Sequence, residues 1–232
     1  ALSASGLRTG LYTSPHLVEY RERIRIGGEP VSPGVFASLA SAVEDPVREL
    51  AREGKDLRPT TFEALTAMAL LGFNLEGCAA AVLEVGMGGR LDAVNAVEPS
   101  VVCLTPVSLD HVDQLGTTVE AIAGEKAGVI RGAVPVACGP QEPGALAVIS
   151  EACQRVGARL LLHGRDFRAE GVRVSPEGSV FDAVTPAWRE PGMRIALLGR
   201  HQVDNAMTAV VAAQAWGLAT VKGVRAGLAG TR

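Results

Sequence analysis

Short runs rich in valine and leucine alternate along this chain with longer stretches of helical periodicity, and that alternation limits what it can fold into. Apolar strands separated by helices form βαβ units and a mainly parallel sheet covered on both faces. Candidate strands span residues 8–13, 79–85, 101–107, 134–138 and 159–163. Candidate helices span 32–53, 60–75, 118–130 and 144–156. The S/T-x-x-E pattern marks two helix starts, Thr60 to Glu63 and Thr117 to Glu120, where side chains satisfy free amides of the first turn. After His163 the texture changes. Gly171, Pro176, Gly178, Pro186, Pro191 and Gly192 punctuate strand-like pieces at 171–174 and 194–198, which read as an antiparallel appendage. Helical patterns return at 202–216 and 220–228. The expectation is one α/β domain over residues 1–232, without internal repeats.

At 232 residues, 47% hydrophobic and 20% charged, the chain can bury one full core. Its net charge of -3 is spread without long like-charged runs, which argues against a nucleic-acid groove or an anionic membrane surface and for small-molecule partners. Cys78, Cys103, Cys138 and Cys153 are widely spaced within apolar runs and form no C-x-x-C pair. They are expected as buried, reduced thiols, which favours the cytoplasm. No apolar run approaches the roughly 18 residues that cross a bilayer, and the first residues lack the order of a signal peptide. The opening Ala1-Leu2-Ser3-Ala4-Ser5-Gly6 reads as the last turn of a helix stopped by glycine. The close on Gly230-Thr231-Arg232 has no tail composition, and both ends read as cut.

Sites show themselves where polar residues take places that burial would give to apolar ones. Glu84 closes the strand Ala79-Ala80-Ala81-Val82-Leu83, and the turn Gly86-Met87-Gly88-Gly89-Arg90-Leu91-Asp92 follows. Ligands of open α/β sheets bind outside the carboxyl ends of strands, where this acid lies. Glu84 can ligate Mg²⁺ or pair with Arg90. The glycines depart from G-x-G-x-x-G and are expected to let backbone approach a ligand. Asp110 and His111 follow the next strand and suit a metal or phosphate site, although such a histidine can equally be structural. Lys126 falls within the apolar stripe Val119, Ile122, Val129 and Ile130. A buried ammonium there must find an anion, snorkel outward, lower its pKa or be modified. Thr13-Ser14-Pro15-His16 follows the first strand, and Ser14 offers a hydroxyl to a metal or phosphate, or is simply part of a turn.

These segments together resemble the folylpolyglutamate synthase and dihydrofolate synthase family of the Mur ligase superfamily. The matching pieces are Leu11-Tyr12-Thr13-Ser14-Pro15-His16-Leu17, Glu22-Arg23-Ile24, Thr60-Thr61-Phe62-Glu63 and Glu84-Val85-Gly86-Met87-Gly88-Gly89-Arg90-Leu91-Asp92-Ala93. Leu109-Asp110-His111, Leu115-Gly116-Thr117, Glu125-Lys126-Ala127-Gly128, Gly199-Arg200-His201-Gln202 and Asn205-Ala206 continue it in order over essentially the whole chain. The resemblance implies a three-layer, P-loop NTPase-like α/β domain. It implies that Ser14 and Glu84 ligate one Mg²⁺, and that His111 and a carbamylated Lys126 serve a second. Glu84, His111 and Lys126 are the implied catalytic residues. Thr60, Thr61, Phe62 and Glu63, with Leu91, Asp92 and Ala93, match segments lining a pterin site, where Phe62 would stack and Asp92 accept from ring nitrogens. Asn205 and His201 match the nucleotide-contacting segment. The implied reaction joins dihydropteroate or a reduced folate to L-glutamate at the expense of ATP, in a generally monomeric protein, with both first-glutamate addition and tail extension expected.

The chain departs from this family pattern in several places. The family begins with a phosphate-cradling G-T-x-G-K-G-[ST] loop, and here the only Gly-Lys pair is Gly54-Lys55, at the end of a charged helix. The family also continues into a glutamate-binding domain beyond the position of Arg232. Val94 stands where threonine is common. The polypeptide as written is therefore expected to be inactive. Two further readings stand beside the ligase: a pterin- or partner-binding relic without chemistry, and a ligase acting on a cell-wall nucleotide peptide.

Overall fold

The computed structural model describes residues 1–54 and 57–231. Lys55 of the Gly54-Lys55 pair and Arg232 lie outside the described residues. The chain forms two compact units. One comprises Leu7–Met87 and Leu91–Ala96; the other comprises Ala1–Gly6, Gly88–Arg90 and the residues from Val97 onward. Among the described residues the buried apolar side chains gather in three clusters.

The first unit is built on strands β1 (Thr9–Tyr12), β2 (Ile24–Ile26), β3 (Glu29–Pro30) and β4 (Ala80–Leu83), in the order β3-β2-β1-β4. β1 runs parallel to β4, with Thr9 opposite Ala80 and Tyr12 opposite Leu83, and antiparallel to β2. The hairpin of β2 and β3 is absent from the sequence expectation. It turns on Gly27 and Gly28, both at positive φ (63° and 99°), a conformation suited to a two-residue hairpin turn. Helix α1 (Pro33–Glu53) starts where Ser32 Oγ accepts from Val35 N at 3.2 Å, with Pro33 in its first turn. Helix α2 (Thr61–Leu75) carries the expected capping box. Thr60 Oγ1 accepts from Glu63 N at 3.2 Å while the Glu63 carboxylate accepts from Thr60 N at 2.6 Å. Tyr12, Ile24, Leu39, Leu65, Met68, Ala69 and Phe73 form the core beneath both helices. Gly10 and Phe73 pack too closely for any side chain at Gly10.

In the second unit β5 (Val102–Leu104), β6 (Pro135–Cys138) and β7 (Arg159–Leu162) form a parallel sheet in that order. Alternation along β6 divides its faces. Val136 and Cys138 join α4 (Val119–Ala127) and α5 (Pro143–Val156) in one core; Ala137 joins α6 (Arg200–Trp216) in another. This gives the three-layer α/β arrangement that the sequence implies. Strands β8 (Arg168–Ser175), β9 (Gly178–Val184) and β10 (Arg189–Ile195) form the antiparallel appendage, whose Phe181, Ala183, Met193 and Ile195 pack with α6 and α7 (Val221–Ala229). The N-terminal turn ends at Gly6 (φ 89°) as expected, and Thr220 N donates to Ser5 Oγ at 3.1 Å.

Three expectations need correction. Helix α4 ends at Ala127 rather than residue 130, because Gly128 folds back its amide onto the last-turn carbonyls. Its N-cap is Thr118, whose side chain accepts from Ala121 N at 3.2 Å, so the Thr117–Glu120 box does not form. From Thr118 the third helical residue is Ala121, which has no carboxylate to reach back. The cysteines are free, but only Cys138 and Cys153 are buried; Cys78 is half-buried and Cys103 exposed, since its place on β5 faces it away from Val102 and Leu104.

Candidate functional site

In the first unit, Ser14 and Glu84 meet just past the carboxyl ends of the parallel neighbours β1 and β4. Ser14 N donates to Glu84 Oε2 at 2.9 Å, and Glu84 N donates to Tyr12 O at 2.9 Å. Glu84 is exposed, contrary to the burial expected for it, because β4 is the edge strand of its sheet. Ser14 precedes Pro15 through a cis peptide bond.

The pterin-matching segments adjoin this corner. A Cβ on Gly86 would lie 2.6 Å from the Phe62 ring, so only glycine allows the ring to rest against that backbone. Phe62 also lies 5.6 Å from the Tyr12 ring, between centroids. Asp92 shapes the loop: its Oδ2 accepts from Gly86 N and Met87 N (3.0 and 3.1 Å), and Oδ1 from Val94 N (3.0 Å). Oδ2 is thus filled by two donors, while Oδ1 retains lone-pair capacity for a further one. Leu91 is 85% exposed, Thr61 is exposed and Ala93 half-buried. Thr60 and Glu63 are engaged in the helix cap.

In the second unit, Gly88–Arg90 pack on the end of α4. Arg90 Nη2 donates to Glu125 Oε1 at 2.7 Å, and Arg90 N to Glu125 O at 2.9 Å. Arg90, the alternative partner for Glu84 in the sequence, thus holds Glu125, a residue the sequence reading did not single out. A Cβ on Gly89 would sit 2.7 Å from Glu125 O and 2.8 Å from Lys126 O. The glycines therefore serve close approach to the protein's own backbone and to Phe62. Lys126 is half-buried rather than buried, because α4 stops one residue later and its buried face is Ile122, Ala123 and Ala127. A cation in this last turn also complements the carbonyl end of the helix dipole.

His111 is the only non-glycine residue at positive φ among the described residues (φ 49°, ψ 41°). Such a conformation costs energy and clusters at functional positions. His111 is exposed, its Nε2 3.6 Å from Asp110 Oδ2, and its amide donates to Asp110 Oδ1 at 2.8 Å. Its carbonyl accepts from Gln114 N and Leu115 N, starting the short helix α3 (Val112–Leu115). Histidine 111 lies seven residues beyond the end of β5, further than the strand-end placement expected. His201 and Asn205 lie one turn apart on α6, where Asn205 Nδ2 donates to Gln202 Oε1 at 3.4 Å.

The residue types at the Ser14–Glu84 corner fit Mg²⁺ chemistry. Ser14 and Glu84 supply hard oxygens, and Mg²⁺ commonly takes one or two protein oxygens while keeping waters and phosphates as its other ligands. Among the described residues no group of three or more His, Cys, Asp or Glu is arranged to hold a metal by itself.

Comparison with known proteins gives concordant results. The model of the Mur ligase middle domain matches residues 40–213. Folylpolyglutamate synthase of Lacticaseibacillus casei is 35% identical over 98% of this chain and 54% of that protein. Dihydrofolate synthase/folylpolyglutamate synthase of Bacillus subtilis is 34% identical over 92% of this chain and 50% of that protein. A folylpolyglutamate synthase structure with AMPPCP and folate superimposes with a TM-score of 0.95 at 34% identity, covering 100% of this chain and 58% of its own. The Mycobacterium tuberculosis enzyme with ADP and AMPPCP gives 0.93 at 33% identity, covering 100% and 55%. The chain spans about half the length of the relatives it matches.

Proposed function

Because the chain belongs to the Mur ligase middle-domain family, we propose that its protein is an ATP-dependent ligase joining the carboxylate of dihydropteroate or a reduced folate to L-glutamate. Residues 1–232 would be its ATP-binding middle domain. The observation that carries this reading is the corner at Ser14 and Glu84, two oxygen-bearing residues linked across parallel strand ends at 2.9 Å. Phe62, Gly86 and Asp92 adjoin it with an aromatic ring and a carboxylate in the same unit.

The reaction proceeds in two displacements. The acceptor carboxylate attacks the γ-phosphorus of ATP, releasing ADP and forming an acyl phosphate. The glutamate amine then attacks the acyl carbon, inorganic phosphate leaves, and the amine gives up a proton as the amide forms. Ser14 and Glu84 would hold one Mg²⁺, and His111 with a carbamylated Lys126 a second; the bound ions would neutralise charge on the phosphate oxygens. Phe62 offers a face for a pterin ring, and Asp92 holds the loop that carries Leu91 and Ala93. Asn205 and His201 would contact the nucleotide base from α6. Protein groups here position the reactants, and no covalent enzyme intermediate is required.

The proposal includes a monomer acting in the cytoplasm on small molecules, with both first-glutamate addition and extension of a glutamate tail. Among the described residues no helix is long and apolar enough to cross a membrane. The test is substrate-dependent ADP formation by the protein carrying this chain, supplied with Mg²⁺, ATP, L-glutamate and dihydropteroate or tetrahydrofolate. Loss of that activity in Glu84→Gln, with the fold intact, is the expected companion result.

A further inference from the structure

The loop following β1 is exposed yet unusually well held. Thr13 N donates to Arg23 O at 3.0 Å and Ser14 N to Glu84. The amides of Leu17, Val18 and Glu19 all donate to the Glu22 carboxylate, at 3.0, 3.0 and 2.8 Å. This clamp fixes a loop whose tip residues Leu17 and Val18 are 93% and 84% exposed.

Inside the clamp sits His16, half-buried, its ring 4.4 Å from that of Tyr20 between centroids. Arg23 Nε lies 2.9 Å from His16 Nδ1, and the Arg23 guanidinium lies 5.9 Å from the Tyr20 ring centroid. A guanidinium can only donate, so Nδ1 must offer its lone pair and the ring proton belongs on Nε2. Among the described residues nothing accepts from Nε2. The loop thus orders a side chain, at an entropic cost, in one tautomer with one unused donor. That donor stands two residues after Ser14.

We propose that His16 is a reactant-binding residue whose Nε2–H donates to an anionic oxygen of the reacting groups. The inference rests on the ligase reading above. The shared chemistry is a phosphoryl or carboxylate oxygen, supplied by ATP or by the acceptor acid. Arg23 and Tyr20 are positioning residues, acting through the ring they hold.

The experiment compares His16→Phe with His16→Gln in the full protein, by steady-state kinetics with ATP and with the folate acceptor varied separately. Phenylalanine keeps the ring on Tyr20 without the donor, whereas glutamine restores a donor near the position of Nε2. The expected result is a drop of about ten- to a hundredfold in kcat/KM for His16→Phe, as for loss of a hydrogen bond to a charged group, with most activity returning in His16→Gln. A loss concentrated in the KM for ATP assigns the oxygen to phosphate; a loss concentrated in the KM for the acceptor assigns it to the carboxylate. Should His16→Phe lower the melting temperature, His16→Asn, whose shorter amide cannot reach the Nε2 position, is expected to show the same deficit in a folded protein. Wild-type kinetics in His16→Phe, or equal deficits in Phe and Gln, overturn the role of the donor. Absence of turnover in the unsubstituted protein sinks the ligase reading and this inference with it.

Discussion

Arg90 and Glu125 are joined twice, by guanidinium to carboxylate at 2.7 Å and by backbone amide to carbonyl at 2.9 Å. The double link holds Gly88–Arg90 against the last turn of α4, where Lys126 is carried. Gly89 fits this junction because a Cβ there would come within 2.7 Å of Glu125 O.

Gly89→Ala is therefore expected to destabilise the protein by about 1–3 kcal/mol, the usual cost of forcing extra volume into a packed contact. Urea denaturation followed by circular dichroism reads this as a lower midpoint. An unchanged midpoint would mean that the turn does not pack on α4 as described.

Thr118, and not Thr117, caps α4. Thr118→Ala should cost about 1 kcal/mol, as loss of an N-cap hydroxyl does, while Thr117→Ala should be close to neutral. The same denaturation curves compare them. Equal costs, or the reverse order, would restore the capping register expected from sequence.

His163 predicts a pH dependence. Burial pushes its imidazole below the ordinary value of 6.5, opposed by Asp204, whose Oδ1 lies 3.2 Å from Nε2, and reinforced by the nearby Arg200 guanidinium. The folded state then takes up a proton less readily than the unfolded chain. Stability from this group is fully present above pH 6.5 and is lost as pH falls through the lowered folded value. Denaturation midpoints measured on either side of pH 6.5 should fall on acidification in the parent protein and fall less in His163→Asn. Parallel pH profiles would show that His163 titrates alike in both states.

Much of the architecture is legible in the sequence because burial on both faces leaves long local signatures. The runs at 79–85, 134–138 and 159–163 mark β4, β6 and β7 to within a few residues, and Thr60–Glu63 marks the start of α2. The β2–β3 hairpin escapes because Ile24–Ile26 is only three residues long, although Gly27-Gly28 carries a turn signal. Strand β9 is broken in the apolar count by Asp182, whose Oδ1 accepts from Gly192 N at 2.8 Å across the hairpin. At the candidate site, Ser14 and Glu84 are legible as strand-end polar residues. The pairings of Glu125 with Arg90 and of His16 with Arg23 are not, since a side-chain contact made across a fold leaves no pattern at either residue. Lys126 shows the opposite error: its place in the stripe suggests burial, but the helix ends too soon to enclose it.

The most direct test of the central claim is product formation by the protein carrying this chain, supplied with Mg²⁺, ATP and L-glutamate together with either dihydropteroate or tetrahydrofolate. The account predicts ADP, inorganic phosphate and a glutamylated pterin in equal amounts, dependent on all substrates and lost in Glu84→Gln. No glutamylated product from any pterin acceptor, or turnover only with a UDP-linked peptide acceptor, would contradict it.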